Sequence, residues 1–541
     1  MEQYNEVLNK EEAQKCIKDG INLATELVAP TLGVKASKVF IDEEYGGFEA
    51  SDDGITILNK IKVKDPKLQL GVKILKEASS KTNDREGDGT TTTAIIANEL
   101  VNQVIKDKEE LMDFSKHSGM DILKIKNGIK SGFQKVVDFI NKNKVDITTD
   151  EQLIDVGRIS SNSLEVGKML AEMFKKLGKD ASITTADSNS TETKYDIVEG
   201  MSFDRGWISY GFVTNPEKEE TVIEGENGTN VLVTDYKIQN VEQLETLGNL
   251  FKSGVNDLLI IADDVSGIPL ETLIFNRLRQ TIRVVAVRAP GFGNQVDYLK
   301  DIAILVGAKF VSSSESINFK DVTKEHLGKA KKVVVNKEKT TIVGTEGNKE
   351  EIETRIKTLK NRLTEIESGY EKEKLNERIS KLSGGVGVIK VGGATEPEVK
   401  DKKSKINDAV SAVKSALRDG VVAGGGITLL AASMELNDDI EGESILKKSI
   451  QKPFEQIALN SYLAADKMKN EVMSNKEIGY GYDVENNKWG NMFEMGIIDP
   501  AGVVKTALEN AISIAVEVLE CSGAITLVRE EKSKEDNKQL E

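Results

Sequence analysis

The chain has 541 residues, 39% of them hydrophobic and 30% charged, which is the balance of a globular protein with a sizeable core. At about 150 residues per domain, this length predicts three or four compact units. The net charge of −16 argues against a general nucleic-acid binder and against a protein that binds anionic membranes, since both need a positive field.

The first part of the chain is predicted to be mainly helical. Apolar residues at helical spacing predict helices over residues 9–29 and about 68–81. Short β-type runs at 38–41 and 48–50 predict a hairpin. The highly charged stretch 106–118 is predicted to be an exposed connection.

The pattern changes in the middle of the chain, where β-branched runs alternate with helical segments from about residue 183 to 345. This alternation is typical of an α/β domain with a largely parallel sheet. The predicted strands are 183–185, 231–234, 258–261, 284–287, 309–312 and 332–335. Residues 349–381 predict one long charged helix. Its heptad-like apolar spacing resembles a coiled coil, but the pattern favours an amphipathic helix packed on this domain by its apolar face.

Helices resume from about residue 397 to 472 and from about 500 to 520, and residues 529–541 predict a charged, disordered tail. The order helical, α/β, helical predicts a helical domain built from both chain ends, with an α/β domain inserted between them.

Cysteine and histidine are too scarce to support several kinds of site. Cys16 and Cys521 stand far apart, no CxxC pair occurs, and the histidines are His117 and His326. A zinc site, a disulfide framework and a Ser/His/Asp or Cys/His catalytic group are therefore poorly supported. The polar start of the chain has no targeting character, and no run approaches the about 18 apolar residues of a membrane span. These features predict a cytoplasmic protein.

The most informative motif is Asn-Asp-Arg-Glu-Gly-Asp-Gly-Thr-Thr-Thr-Thr-Ala, residues 83–94. Gly87 and Gly89 let the backbone approach a phosphate closely, and the threonines at 90–92 begin a helix whose N–H groups attract anions. Asp88 offers the hard oxygen that Mg²⁺ prefers beside phosphate and water. The alternative is a simple Gly-Asp-Gly turn with a threonine cap, and no Walker A Gly-Lys-Thr/Ser follows.

Together with this loop, motifs along nearly the whole chain resemble those of GroEL-type (group I) chaperonins. They stand in family order and at family-like spacing: Thr31-Leu32-Gly33, Asp53-Gly54, the loop 87–92, Val198-Glu199-Gly200-Met201, Phe203-Asp204-Arg205-Gly206, Ala289-Pro290-Gly291-Phe292-Gly293, 381–385, Val421-Val422-Ala423-Gly424-Gly425-Gly426, and Gly490-Asn491-Met492 running on to Asp499-Pro500. The resemblance implies an α+β multidomain chaperonin fold. The implied domains are a helical equatorial domain from 1–142 and 418–541, a small intermediate domain from 143–199 and 386–417, and an α/β apical domain over 200–385.

The resemblance also implies an ATP site in the equatorial domain. Asp408 matches the family's catalytic aspartate, and Asp53 is a second candidate for holding the attacking water. Asp88 would hold Mg²⁺, while Thr31 and Thr91 would lie near a K⁺ ion. The remaining implied nucleotide contacts are Leu32, Gly33, Gly89, Thr90, Thr92, Ile159, Ser160, Gly424, Gly425, Ile457, Tyr482, Asp483, Val484, Ile497 and Asp499. Without the resemblance, Asp408 would read as a solvated helix carboxylate and Asp53 as a turn residue.

A second site is implied in the apical domain, where non-native polypeptides would bind an exposed apolar groove. Its implied residues are Trp207, Tyr210, Phe212, Leu244, Leu247, Phe251, Leu270, Ile274 and Phe275. On their own, such helical stripes usually face a core. Val241 and Leu250, on the first of the two helices, are alternative core-facing residues.

The implied function is an ATP-dependent chaperone that folds non-native polypeptides inside a homo-oligomeric ring. Family members form stacked seven-membered rings and use a small GroES-type co-chaperonin. One alternative is a ring-forming, peptide-binding scaffold whose ATPase has decayed. Another is a kinase-like phosphotransferase, but the chain has no P-loop, Gly-rich kinase loop or His-Arg-Asp segment.

Several positions depart from the family pattern. Val34 and Ala36 replace a proline and a glycine after Gly33, and Asp52 stands where the family has lysine. Asp483 replaces an asparagine near the base. In the apical groove, Gly211 replaces an aromatic and Glu271 a small apolar residue, and the C-terminal Gly-Met repeat is absent.

Overall fold

The structure is a computed structural model. It describes residues 2–42, 47–105, 122–179, 181–188, 190–216, 218–225, 228–291, 295–365, 369–475 and 477–530. The predicted connection 106–118 and the part of the predicted tail after residue 530 lie outside these ranges.

The elements follow in chain order. The helices are α1 (Lys10–Val28), α2 (Gly54–Lys60), α3 (Pro66–Glu86), α4 (Thr90–Val104), α5 (Ile122–Asn143), α6 (Asp150–Ser161), α7 (Leu164–Leu177), α8 (Val241–Lys252), α9 (Gly267–Leu278), α10 (Gln295–Val306), α11 (Lys349–Glu365), α12 (Gly369–Gly384), α13 (Glu396–Asp419), α14 (Ile427–Ala432), α15 (Glu441–Asn460), α16 (Ala465–Ser474) and α17 (Ala501–Glu520). The strands are β1 (Glu2–Asn9), β2 (Val39–Asp42), β3 (Phe48–Ser51), β4 (Ser182–Asp187), β5 (Lys194–Val198), β6 (Gly200–Phe203), β7 (Thr221–Ile223), β8 (Thr229–Val233), β9 (Lys237–Ile238), β10 (Asp257–Ala262), β11 (Asp264–Val265), β12 (Arg283–Arg288), β13 (Gly328–Val335), β14 (Thr340–Thr345), β15 (Val386–Val391), β16 (Val421–Ala423), β17 (Tyr480–Asp483), β18 (Lys488–Asn491), β19 (Ile498–Pro500) and β20 (Gly523–Glu530).

The chain divides into two compact units. The terminal unit comprises Met1–Ala171 and Gly393–Glu541, and the inserted unit comprises Glu172–Gly392. A helical unit built from both chain ends, interrupted by an α/β unit, is the arrangement that the sequence predicts. Within the described residues, no helix has the length and apolarity required to span a bilayer.

The terminal unit is held together by helices from opposite ends of the chain. α17 packs against α3, α4 and α5, and α15 packs against α4 and α5. Fully buried aliphatic side chains such as Leu75, Ile96, Leu446 and Leu508 fill the space between them. The predicted hairpin is confirmed as the antiparallel pair β2–β3. β20 pairs antiparallel with β1, so the predicted tail begins as a strand and not as a disordered segment up to Glu530.

The inserted unit contains a mixed sheet of order β12-β10-β8-β13-β14-β6, with β7 also paired to β13. Only β8, β10 and β12 run parallel, and the other pairs are antiparallel, so the prediction of a largely parallel sheet is wrong. The short turn after β13, where the Asn336 side chain accepts the N–H of Lys339, forces β14 to return antiparallel. The predicted strand 309–312 forms only an isolated bridge between Val311 and Thr234.

The long helix predicted over 349–381 is instead two helices, α11 and α12, which pack against each other and against α10. A buried charge cluster joins the three helices. Asp301 of α10 is 1% exposed, and its carboxylate accepts hydrogen bonds from Arg378 at 2.6 Å and Arg355 at 2.7 Å. Arg378 is itself only 2% exposed. Two arginines of the predicted charged helix therefore form internal ion pairs that connect it to α10.

Candidate functional site

A cavity of about 650 Å³ opens in the terminal unit. This volume lies in the range of sites for small organic ligands. The predicted residues that line it are Thr31, Leu32, Gly33, Asp53, Asp88, Gly89, Thr90, Thr91, Thr92, Ile159, Ser160, Asp408, Gly425, Ile457, Tyr482, Asp483, Val484, Ile497 and Asp499. Gly424 is not among the lining residues; its N–H donates to the Ile497 carbonyl at 2.9 Å, just behind the wall.

The Gly-Asp-Gly loop joins two helices at the cavity wall. α3 ends where Gly87 adopts φ +68°, and α4 begins after Gly89 at φ +82°, both left-handed conformations that favour glycine. A Cβ at position 87 would lie 2.2 Å from the Ser411 Cβ, and one at position 89 would lie 2.7 Å from Val503. Glycine is therefore required here for both conformation and space, and α4 begins at the cavity, with Thr90, Thr91 and Thr92 in the cavity wall.

We expect Gly87→Ala to lower Tm by several degrees and to weaken ATP binding at least about tenfold, because it combines left-handed strain with a clash. Gly47→Ala is the matched control, since Gly47 has φ +105° but no heavy atom of the described residues lies within 4 Å of a Cβ added there. That variant carries only the conformational cost of about 1 kcal/mol. Calorimetry and nucleotide titration of both variants check the prediction, and equal effects would contradict the close packing described for the loop.

Three partly buried carboxylates, those of Asp53, Asp88 and Asp499, line the cavity. Asp88 accepts the Gly89 N–H at 2.6 Å and the Ser160 hydroxyl at 3.1 Å, and burial raises its pKa despite these bonds. Burial, followed by the charge of Asp88, raises the pKa of Asp499 to about 7. Burial also raises the pKa of Asp53. A cation bound at Asp88 would relieve this repulsion, so the donor set fits the predicted Mg²⁺, which commonly takes one or two carboxylates beside phosphate oxygens.

Asp53 and Asp408 reach the cavity from different elements. Asp53 caps α2, accepting the Thr56 N–H at 3.2 Å and the Thr56 hydroxyl at 2.6 Å. The turn role and a role at the cavity are therefore compatible for this residue. Asp408 lies on α13, whose N-terminus is capped by the Thr395 side chain. Its partly buried side chain lines the cavity.

The loop after α1 closes without the proline and glycine of the family pattern. Thr31 ends a short 3₁₀ helix and donates its hydroxyl to the Val28 carbonyl at 2.8 Å. The Ala36 N–H donates to the Gly33 carbonyl at 3.1 Å. The Asn460 side chain donates to the Leu32 carbonyl at 2.8 Å, which ties this loop to α15.

Part of the cavity wall is apolar, with Ile457, Val484 and Ile497 among the lining residues. Tyr482 also lines it and contacts the Trp489 ring at a centroid distance of 5.0 Å. The Asp483 carboxylate, in contrast, accepts the Glu485 N–H at 2.9 Å and two Asn486 N–H groups, at 3.1 and 2.7 Å. Its hydrogen-bonding capacity therefore stabilises the turn between β17 and β18, a role that the sequence prediction did not include.

Sequence reasoning overlooked two cationic residues of the wall, Lys405 and Arg158. Lys405 Nζ lies 3.0 Å from an Asp52 carboxylate oxygen. Arg158 donates to the Gly496 carbonyl at 3.3 Å and lies 3.7 Å from Asp155. The position of Lys405 one helical turn before Asp408 is the signal that could have identified it.

The predicted groove residues lie in the inserted unit, around the adjacent helices α8 and α9. Tyr210 and Phe275 are each 52% exposed. Trp207, Leu244, Phe251, Leu270 and Ile274 are partly buried.

The prediction of exposure is wrong for Phe212 and Leu247, which are fully buried in the core beneath. Leu250 is also buried, whereas Val241, the other alternative core residue, is 52% exposed. The apolar stripe of α8 is therefore rotated relative to the prediction. Gly211 admits Ile274 of α9, since a Cβ at position 211 would lie 2.7 Å from that side chain.

Comparison with known proteins gives two findings. The sequence model of the TCP-1/cpn60 chaperonin family matches residues 24–528. The fold is similar to that of the chaperonin gp146 from the bacteriophage EL 2 (Pseudomonas aeruginosa), crystallised in the presence of ATP-BeFx, with a TM-score of 0.64. The two chains are 19% identical over 97% of this chain and 99% of the phage protein. Because the family model covers nearly the whole sequence, this chain belongs to the TCP-1/cpn60 chaperonin family.

Proposed function

We propose that this protein is a GroEL-type (group I) chaperonin subunit that hydrolyses Mg-ATP in the terminal-unit cavity to drive the folding of non-native polypeptides. The observation that carries the proposal is the cavity itself, which brings a Gly-Asp-Gly helix start together with Asp53, Asp408 and Asp499 from separate parts of the chain. The phage chaperonin of similar fold was crystallised in the presence of ATP-BeFx, which adds support.

In the proposed reaction, Asp408 orients a water molecule for in-line attack on the γ-phosphorus, with Asp53 as the second residue that holds the water. Asp88 would hold Mg²⁺, which when bound offsets negative charge on the phosphates. Thr31 and Thr91 would lie beside a K⁺ ion. The N–H groups and hydroxyls at the start of α4 bind phosphate oxygens, and Asp499 accepts hydrogen bonds from ribose hydroxyls.

Non-native polypeptides would bind the apolar surface of α8 and α9, where Tyr210 and Phe275 are exposed. The proposed domain boundaries are those given above, with the intermediate domain formed by 143–199 and 386–417. The proposed assembly is a homo-oligomeric ring of seven subunits, stacked in pairs, in the cytoplasm. The proposed partner is a GroES-type co-chaperonin.

The test measures three properties of the full-length chain: phosphate release from ATP, ring formation by negative-stain imaging, and affinity for a fluorescently labelled denatured client with and without ATP. We expect ATP to weaken client binding, and Phe275→Ser with Tyr210→Ser to abolish it. Tyr462→Ser is the control, because Tyr462 is an exposed aromatic of the terminal unit (95%) outside the proposed groove.

Hydrolysis with no change in client affinity would contradict the proposed coupling. Client binding by rings without hydrolysis would favour the decayed-ATPase scaffold. A phosphorylated small-molecule product would identify the chain as a phosphotransferase.

A further inference from the structure

An ion pair spans the cavity wall between two distant parts of the chain. Lys405 Nζ of α13 lies 3.0 Å from one carboxylate oxygen of Asp52, which directly precedes the α2 cap Asp53. Both side chains are 22% exposed, and both residues line the cavity. Lys405 also lies 3.3 Å from Asp401, one turn earlier on the same helix.

The position of Lys405 on α13 connects this pair to the proposed chemistry. Lys405 and Asp408 are three residues apart, so they lie on the same face of the helix in adjacent turns. Any contact that fixes the Lys405 turn therefore limits where the Asp408 carboxylate can lie. Asp52, the other residue of the pair, is also close to the site, because it directly precedes Asp53 in the chain.

The environment of the pair differs from that of an ordinary surface ion pair. Among the described residues, the second oxygen of Asp52 is buried without a hydrogen-bond partner, an arrangement that costs stability. Burial lowers the pKa of Lys405, but the hydrogen bond and charge of Asp52 and then Asp401 raise it above its usual value. Lys405 is therefore held as a cation between two carboxylates in the cavity wall.

Two further ion pairs join α13 to the β2–β3 region, and they provide an internal comparison. Lys38 lies 3.0 Å from Asp401, and Lys400 lies 3.1 Å from Glu49. Their lysine side chains are 44% and 47% exposed, so each pair is expected to contribute at most about 1 kcal/mol. None of these four residues lines the cavity.

We propose that Lys405 is a positioning residue for ATP hydrolysis: bound to Asp52, it ties the Asp408 turn of α13 to the start of α2 and so aligns Asp408 with Asp53. This inference rests on the function proposed above and adds a residue pair to it. Lys405 acts through Asp408 and needs no contact with the nucleotide.

The test is a double-mutant cycle on the full-length chain, with Lys405→Met, Asp52→Asn and both changes together. We expect each single variant to lower kcat about tenfold with KM for ATP within about twofold, because misplacing a catalytic group affects the chemical step more than binding. The double variant should be no slower than the singles, since both changes remove one interaction. Lys405→Arg keeps the positive charge and should retain most of the parent kcat. Glu49→Gln removes the Lys400–Glu49 ion pair, whose residues do not line the cavity. It should leave kcat within about twofold of the parent value.

Several outcomes would overturn the inference. Multiplicative effects in the double variant would mean that the two residues act separately. An unchanged kcat in Lys405→Met, with the parent chain active, would remove the positioning role and leave the proposed ATPase intact. A raised KM with normal kcat would assign Lys405 to nucleotide binding instead. No hydrolysis by the parent chain would reject the proposed function and this inference together.

Discussion

Asp408→Asn is expected to slow ATP hydrolysis at least about a hundredfold while leaving ATP affinity within about threefold. Asparagine keeps the size of the side chain but carries no negative charge, so it orients the attacking water poorly. The proposed binding surface for phosphates lies elsewhere, on the loop 87–92 and the start of α4. An interaction used only in the transition state lowers kcat without raising KM.

The matched control is Glu398→Gln, on the same helix. Glu398 ion-pairs with Lys402 at 2.7 Å and does not line the cavity. Single-turnover phosphate release and equilibrium titration with a fluorescent ATP analogue separate chemistry from binding. Asp408→Asn with near-normal turnover would show that another group activates the water, and Asp53→Asn would then be the next variant to measure.

The second large effect is on stability. Asp301→Ala is expected to lower the unfolding free energy of the inserted unit by about 3–5 kcal/mol, because it leaves the buried Arg378 guanidinium with only a long 3.5 Å contact to the Asp297 carboxylate. Arg378 donates to Asp301 at 2.6 and 3.1 Å, and Arg355 adds a further bond at 2.7 Å. Breaking a surface ion pair of this unit should change the unfolding free energy far less.

Glu192→Ala is the control, since Glu192 and Lys194 form a 2.9 Å ion pair with side chains 72% and 70% exposed. Its removal should cost less than about 1 kcal/mol. Calorimetry suits the comparison, because a chain with two compact units need not unfold in one transition. If Asp301→Ala lowers the unfolding free energy no more than Glu192→Ala does, water reaches the Arg378 guanidinium in solution.

Apolar residues at helical spacing predicted most helices well, and the structure shows physical markers at helix ends. Asn9 and Glu12 form a capping box at the start of α1, and Gly87 in the left-handed conformation ends α3. The sheet was less predictable, since β-branched runs do not reveal strand direction. The turn at 336–339 was the available signal that β13 and β14 are antiparallel.

The candidate site was likewise predictable only in part. Glycine and aspartate motifs identified residues of the cavity wall, because the roles of these residues depend on their neighbours in the chain. The Asp52–Lys405 pair joins residues 353 positions apart, and no local pattern connects them. The rotated stripe of α8 was missed for another reason: Val241 and Leu247 are equally apolar, and only the helix's packing decides which is buried.

The division of the terminal unit between the two chain ends has a consequence for biosynthesis. α1, α3 and α4 leave the ribosome early, but their partners α15 and α17, and the strand that pairs with β1, are translated last. Until these partners are synthesised, the nascent helices expose apolar faces and the core of the terminal unit is incomplete. The inserted unit can mature first. A protein that we propose protects other unfolded chains is therefore expected to need protection during its own synthesis.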